Sequence, residues 1–371
     1  MQKDFHYFAI AVLCRAAGFN PADALTIAYA SQYVDNATES ELIRIDIGGG
    51  YLKFDPVCTC YQGLDAVASL AWSAQKRVWI PFHFLPARPF DPLAPNFSFI
   101  TRPGSPFTEL LIDQACKEPL EENTRRLCRI GVALHAYADS WAHQDFSGRK
   151  EHGENDVEEI STYHRETRRW DHPLAENLLF DILPQIGHAE AGHFPDLSYQ
   201  KWRFYLCTPE RRQIERDNVE LFIHAARSIY HKLVPVDKIS PSPLVPWNVL
   251  EPQLRTLFAD PGKKPTTLDR SNLRAYRSYQ EKNLDLRCQA WQKTFGDWFS
   301  SAGELYAYDH STWRREALEG DVDWDGYSER DWYQMLPLRS RPNFWNSRWV
   351  HFHRAALRQR PDRIIVGEIR S

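Results

Sequence analysis

The chain has no CxxC pair, no apolar run near the ~20 residues that a membrane-spanning helix needs, and no surplus of basic charge. Its seven cysteines, Cys14, Cys58, Cys60, Cys116, Cys128, Cys207 and Cys288, are scattered and odd in number. That pattern disfavours a disulfide scaffold or a thiolate zinc finger and fits a reducing compartment. A net charge of -4 and a pI near 6.4 supply no field for bulk attraction to nucleic acid or anionic lipid, so no stable nucleic-acid partner is expected. The nearest thing to a signal peptide, "FAIAVLC" at residues 8–14, is preceded by Asp4 and His6, is interrupted by Arg15 and lacks a small-residue cleavage site, which gives a cytoplasmic expectation. Gly48–Gly50 are followed by neither a helix nor a GK pair, which argues against a phosphate loop. No internal repeat or low-complexity tract is present.

What is present reads as helix. With 371 residues, 43% hydrophobic and rich in Trp, Tyr and Phe, the chain can bury a large aromatic core. Asp4 is placed to cap a helix running to about Ala17, with Gly18 ending it. Asn20 and Pro21 mark the start of a second helix that runs to about Asp35. "IRIDIGGGYLKF" suggests a short hairpin or an ordered loop within residues 41–60. Further helices are expected over about 62–76, 105–117, 120–145, 155–186, 209–234 and 268–306, with a proline-rich connection at 235–266. The expected class is all-α, a multi-helix bundle around a buried multinuclear metal cleft, with few or no short strands. The division is a metal-binding domain over 1–205 and a helical extension over 206–371, or one continuous domain.

The chemistry concentrates in "LHAYADSWAHQDF", residues 134–146. At 100° per residue, His135, Asp139 and His143 fall about 40° apart and share one helix face, beside the small Ala138 and Ala142. A single histidine on an apolar face is usually a hydrogen-bonded core residue. Three ligand-type side chains in this register point instead to a metal. His6 precedes Ile10 by one turn on the buried stripe of the first helix. Asp35 ends the second helix beside an apolar stretch, where an ionised carboxylate is costly unless paired or coordinated; a surface or capping role is the alternative. His83, between Phe82 and Phe84, is either an aromatic-stack residue or a ligand. His188 and His193 lie in "GHAEAGHFPD", where Gly187 and Gly192 permit the turn that would bring both to one site. Glu190 and Asp196 are further carboxylates there. This imidazole and carboxylate set, without thiolate, suits catalytic zinc, manganese or iron, and its size points to two or three metals sharing carboxylates.

The order of His6, Asp35, His83, "HAYADSWAH" and the later histidines resembles the zinc-dependent phospholipase C and fungal single-strand nuclease superfamily. "DFHYFAIAVLCRAAGFNPADALTIAYASQYVD" and "GHAEAGHFPD" are more specifically similar to a set of microbial proteins without an assigned activity. The likeness covers roughly residues 1–205. It implies three zinc ions in a helical cleft: one held by Asp35, His83, His135 and Asp139, a second by His143 and His188, and a third by His6 and Asp139. The chain departs from the superfamily pattern in three places. Relatives use a free N-terminal tryptophan as a ligand, whereas this chain begins Met1-Gln2, whose bulky second residue should prevent methionine removal; the third metal is then missing or held with help from Asp4. Relatives also space the last two ligands of the middle motif more widely. They place a carboxylate one turn after the final histidine, where this chain has Gly192, so His193 or Glu190 is expected to substitute.

The functional expectation is a metal-dependent phosphoester hydrolase in which Asp35 orients or deprotonates the attacking water. A polar segment at 147–157, with Arg149, Lys150 and His152, borders the expected cleft and reads as a solvated loop. One alternative is a non-catalytic binding or scaffold protein whose histidines and aspartates form a buried network. An HD-type phosphohydrolase is less favoured, because the chain contains no His-Asp dipeptide.

Overall fold

The computed structural model describes residues 1–39, 43–46, 51–61, 71–88, 98–151, 154–171, 186–207, 211–263, 273–302, 307–318, 336–337 and 344–360. The chain opens with a π-helical turn, Asp4–Ala9, that continues as α1, Ile10–Ala16. Gly18 ends it at φ 92°, a left-handed conformation that suits glycine. Asp4 does not cap this helix. Its carboxylate is buried and accepts instead from the Phe5 amide and from Arg287 Nε at 3.0 Å, because a buried guanidinium offers it a full counter-charge. The second helix, α2, spans Pro21–Tyr33, and the Asn20 side chain accepts from the Asp23 amide at 3.0 Å, the cap that Asn-Pro announces.

Strands β1, Ile43–Asp46, and β2, Tyr51–Phe54, pair antiparallel as the expected hairpin, and Leu336–Pro337 adds parallel to β1. The glycines between the two strands, and residues 62–70 of the expected helix at 62–76, lie outside the described residues. Helical turns α3, Trp72–Ala74, and α4, Ile80–Phe82, flank a π-helical turn, Gln75–Trp79, and lead directly to His83. Helix α5, Pro106–Cys116, is capped by Ser105. Helix α6, Asn123–Ala142, is buried along most of its length and packs against α2, α5 and the late helix Arg348–Gln359.

After α6 the structure departs from an all-helical bundle. Residues 157–171, expected as helix, form β3, Val157–His164, and β4, Arg169–Asp171. With β5, Lys201–Leu206, and β6, Gln213–Asp217, they build an antiparallel sheet in the order β4-β3-β5-β6. The physical reason lies in β5, "KWRFYL", whose side chains alternate between half-buried and buried; Trp202 and Phe204 stack in the sheet core, and β3 is recruited to pair with it. The remainder of the expected helix, 172–185, lies outside the described residues.

Helix α7, Asn218–Leu233, therefore begins later than the expected residue 209, capped by Asp217. The proline-rich connection contains a helix of its own, α8, Trp247–Ala259, entered from Pro246. Then come α9, Leu273–Phe295, running into a 3-10 turn Gly296–Ala302, then α10, Thr312–Leu318, and α11, Arg348–Gln359, capped by Ser347. One hydrophobic cluster joins residues from Met1 to Ala356, so both halves of the chain contribute to the same core. No helix among the described residues is long and apolar enough to cross a membrane.

Candidate metal centre

The site is built where α2 and α6 touch. A Cβ on Gly131 would lie 2.4 Å from Ile27 O and 2.6 Å from Ala30 Cβ, so only glycine lets α6 approach this closely. One turn on, His135 Nδ1 donates to Ser31 O at 2.8 Å across the seam. Asp139 follows at i+4. His143 sits just past the end of the helix, at φ -93° and ψ 13°, its amide still bonded to Asp139 O. The shared face expected from spacing is realised, with His143 as the terminal residue rather than an interior one.

His6 and His83 join this face. The His6 ring stacks on His135 at 3.8 Å between centroids, and its Nε2 lies 3.0 Å from Asp139 Oδ1. His83 Nδ1 lies 3.3 Å from Asp139 Oδ2 and 3.2 Å from His135 Nε2, while its Nε2 donates to Thr59 O at 2.9 Å. Asp35, in the turn after α2, places Oδ1 3.5 Å from His135 Nε2 and 3.9 Å from His83 Nδ1. Its side chain is 29% exposed where that of Asp139 is 2%, so Asp35 forms the solvent edge of the cluster.

A second group lies beyond His143. His143 Nε2 is 3.1 Å from Asp196 Oδ1, and His188 Nε2 is 3.5 Å from Asp196 Oδ2. His143 Nδ1 donates to His83 O at 2.9 Å and His188 Nδ1 to Gly192 O at 2.9 Å. Gly187 adopts φ 61° directly against the Phe84 ring, which stacks on His143; Gly192 adopts φ 56°. This turn brings in His188 but sends His193 to the surface, where it joins no such group among the described residues. Asp196 takes the place expected of His193, because the 3-10 turn Phe194–Asp196 swings its carboxylate back. Glu190 is used elsewhere, accepting from the Val157 amide. Asp4 gives no help either, being held by Arg287.

The cluster is electrostatically tense. Burial favours the neutral acid at Asp139 and Asp196, but neighbouring imidazoles and the Met1 nitrogen hold both carboxyls well below the usual range. The Met1 nitrogen lies 2.6 Å from Asp139 Oδ1 and 2.9 Å from Asp196 Oδ1. Burial pushes His135 and His188 down to about 4, so both rings are neutral near pH 7. A carbonyl oxygen can only accept, so each of these rings carries its proton on Nδ1 and aims the Nε2 lone pair at carboxylate oxygens. Lone pair against lone pair is unfavourable unless a positive charge lies between them. Near His135 that charge is a proton on His83, whose pKa is raised well above the ordinary value, against burial, by its hydrogen bond to Asp139. Buried His6 Nδ1 has no hydrogen-bond partner among the described residues.

This arrangement fits a metal. Ligating histidines characteristically donate their second nitrogen to a carbonyl or carboxylate, which fixes ring and tautomer. Four of the histidines here do so. Three groups, His6–Asp35–His135, His83–His135–Asp139 and His143–His188–Asp196, each bring one ligand atom per residue within 4.8 Å of the others. Tetrahedral zinc at 2.0–2.1 Å from nitrogen and oxygen needs ligand separations of about 3.3 Å, within reach of small side-chain shifts.

The segment at 147–157 is pinned where the structure describes it. Asn155 bridges the Ser147 amide and Arg149 O, and the Arg149 guanidinium lies over the rings of Phe99 and Trp72. The Lys150 amide donates to Gln75 Oε1, and His152 lies outside the described residues. Sequence reasoning missed Gly131, the carbonyls of Ser31, Thr59 and Gly192, and the Met1 nitrogen. Gly131 carried a signal as a glycine inside a strongly periodic helix, and the Met1 nitrogen carried one through the N-terminal ligand of the superfamily that the sequence resembles.

A mixed helical fold with a sheet at one flank thus encloses a buried imidazole and carboxylate centre. By sequence, the chain belongs to a family of unknown function, DUF6765, whose model matches residues 1–365. No curated protein matches the chain, and no solved structure does.

Proposed function

We propose that this protein is a metal-dependent hydrolase of phosphoester bonds, with two or three ions, zinc by ligand chemistry, held by His6, Asp35, His83, His135, Asp139, His143, His188 and Asp196. The observation that carries the reading is the set of histidines tethered to backbone carbonyls with their free nitrogens converging on Asp35, Asp139 and Asp196. Asp139, shared among four imidazoles, supports the multinuclear form of the reading.

Clustered metals supply Lewis acidity and a nucleophilic water at neutral pH, the chemistry that phosphoester hydrolysis needs. The protein's own contributions follow from position. Asp35, the most exposed of the three carboxylates, faces the solvent edge, where it can accept a proton from an attacking water or orient it. The ring of Trp79 lies 5.5 Å from that of His83. His135 and Asp139 are buried away from solvent.

The test is turnover of a phosphodiester and a phosphomonoester ester of p-nitrophenol by zinc-loaded and manganese-loaded protein. Asp35→Asn is expected to lower turnover by about 100-fold or more. Turnover that is absent from every loaded form, or equal in wild type and Asp35→Asn, contradicts the proposal.

A further inference from the structure

Arg216, on β6, is a buried cation outside the histidine cluster, and its contacts bracket His143. Its side chain is 4% exposed. Nη1 donates to Ala142 O at 3.2 Å, and Nη2 donates to Gln144 O at 2.6 Å and to Asp145 Oδ2 at 2.8 Å. The guanidinium lies over Phe204, at 5.4 Å from the ring centroid, and over Phe146 and Trp202, at 5.9 Å each. One planar fork therefore holds the carbonyl before His143, the carbonyl after it and the carboxylate two residues on.

The backbone needs that hold. The last carbonyls of α6 have no intrahelical partners, and the helix dipole is negative there, which favours a cation. His143 has left helical geometry and Asp145 sits at φ 72°, a left-handed conformation that a non-glycine residue keeps only when its surroundings enforce it. Arg102 and Arg212 also reach Asp145 Oδ1, so the carboxylate that Arg216 grips is itself anchored. This turn sets the direction of the His143 ring toward Asp196 and keeps its Nδ1 on His83 O.

We infer that Arg216, with Asp145, is the positioning residue for His143, fixing its tautomer and its aim in the His143–His188–Asp196 group. The inference deepens the metal reading of that group and rests on it for its functional meaning, though not for its geometry. Lysine is a point charge and cannot satisfy three acceptors from one plane, so Arg216→Lys should behave like Arg216→Met.

The experiment uses metal-free full chain labelled with 15N-histidine, with His143→Gln assigning the ring signals, followed by zinc titration. The wild type is expected to show a single His143 Nδ1–H signal, bonded to the His83 carbonyl. Arg216→Met and Arg216→Lys should lose that signal to tautomer averaging, and zinc affinity at the His143 group should fall 10–100-fold while the His135 group is unaffected. A folded Arg216 variant with an unchanged His143 tautomer and unchanged zinc affinity overturns the inference. If neither wild type nor variant binds zinc but the tautomer signal still collapses, the metal reading fails and the positioning role stands. If both Arg216 variants fail to fold, Asp145→Asn is read by the same two criteria.

Discussion

His135 Nδ1 donates to Ser31 O across the α2–α6 seam at 2.8 Å, and Gly131, one turn earlier on α6, is the residue that brings the two helices close enough for the bond. A fully buried histidine of the centre thus depends on a residue with no side chain. Gly131→Ala inserts a methyl group where backbone stands 2.4 Å away. Overpacking of this kind costs about 1–3 kcal/mol. We expect denaturant unfolding to show a loss of that size and the His135 metal group to weaken with it. A fully stable variant with wild-type metal affinity would show that the close seam is unimportant.

The second group makes a sharper distinction between neighbours. Asp196 receives both His143 and His188, whereas His193 is exposed. Asp196→Asn should remove about one metal equivalent per chain, and His193→Ala none, as counted by metal titration. The opposite ranking would restore His193 as the ligand.

Acid stability offers a test away from the centre. His353, buried among Tyr33, Phe54, Trp349 and Phe352, accepts the Val57 amide on Nδ1 at 3.0 Å, and burial drives its pKa down to about 3. An unfolded histidine titrates near 6.5, so between about pH 6.5 and 3 the unfolded chain binds a proton that the folded chain refuses. Stability from this residue is complete above that window and falls as pH drops through it, by up to about 1.4 kcal/mol per pH unit. His353→Gln keeps an acceptor for Val57 and removes the titration. The stability difference between wild type and His353→Gln, measured from pH 7 to pH 4, should therefore shift in favour of the variant. A difference independent of pH contradicts this.

Much of the centre was legible because helices convert spacing into direction. His135, Asp139 and His143 share a face by arithmetic, and the Asn20-Pro21 and Gly18 signals delimit the helix that carries His6 and the one that leads to Asp35. What was not legible depends on tertiary contacts. The choice of Asp196 over His193 turns on the backbone at Gly187 and Gly192, which spacing does not encode. Strand β3, "VEEISTYH", reads as helix because its paired glutamates mask the alternation, and only pairing with β5 makes it a strand. Arg216, more than seventy residues from His143, carries no local mark of what it holds.

The most direct measurement is elemental analysis of purified, chelator-free protein beside His135→Ala and Asp139→Asn, with circular dichroism to establish that all three are folded. The account predicts two or three zinc, manganese or iron ions per wild-type chain, with at least the ion of the His83–His135–Asp139 group lost in both variants while the helical signal is retained. A folded wild type with no metal above background would contradict it and make the histidines and aspartates a structural network.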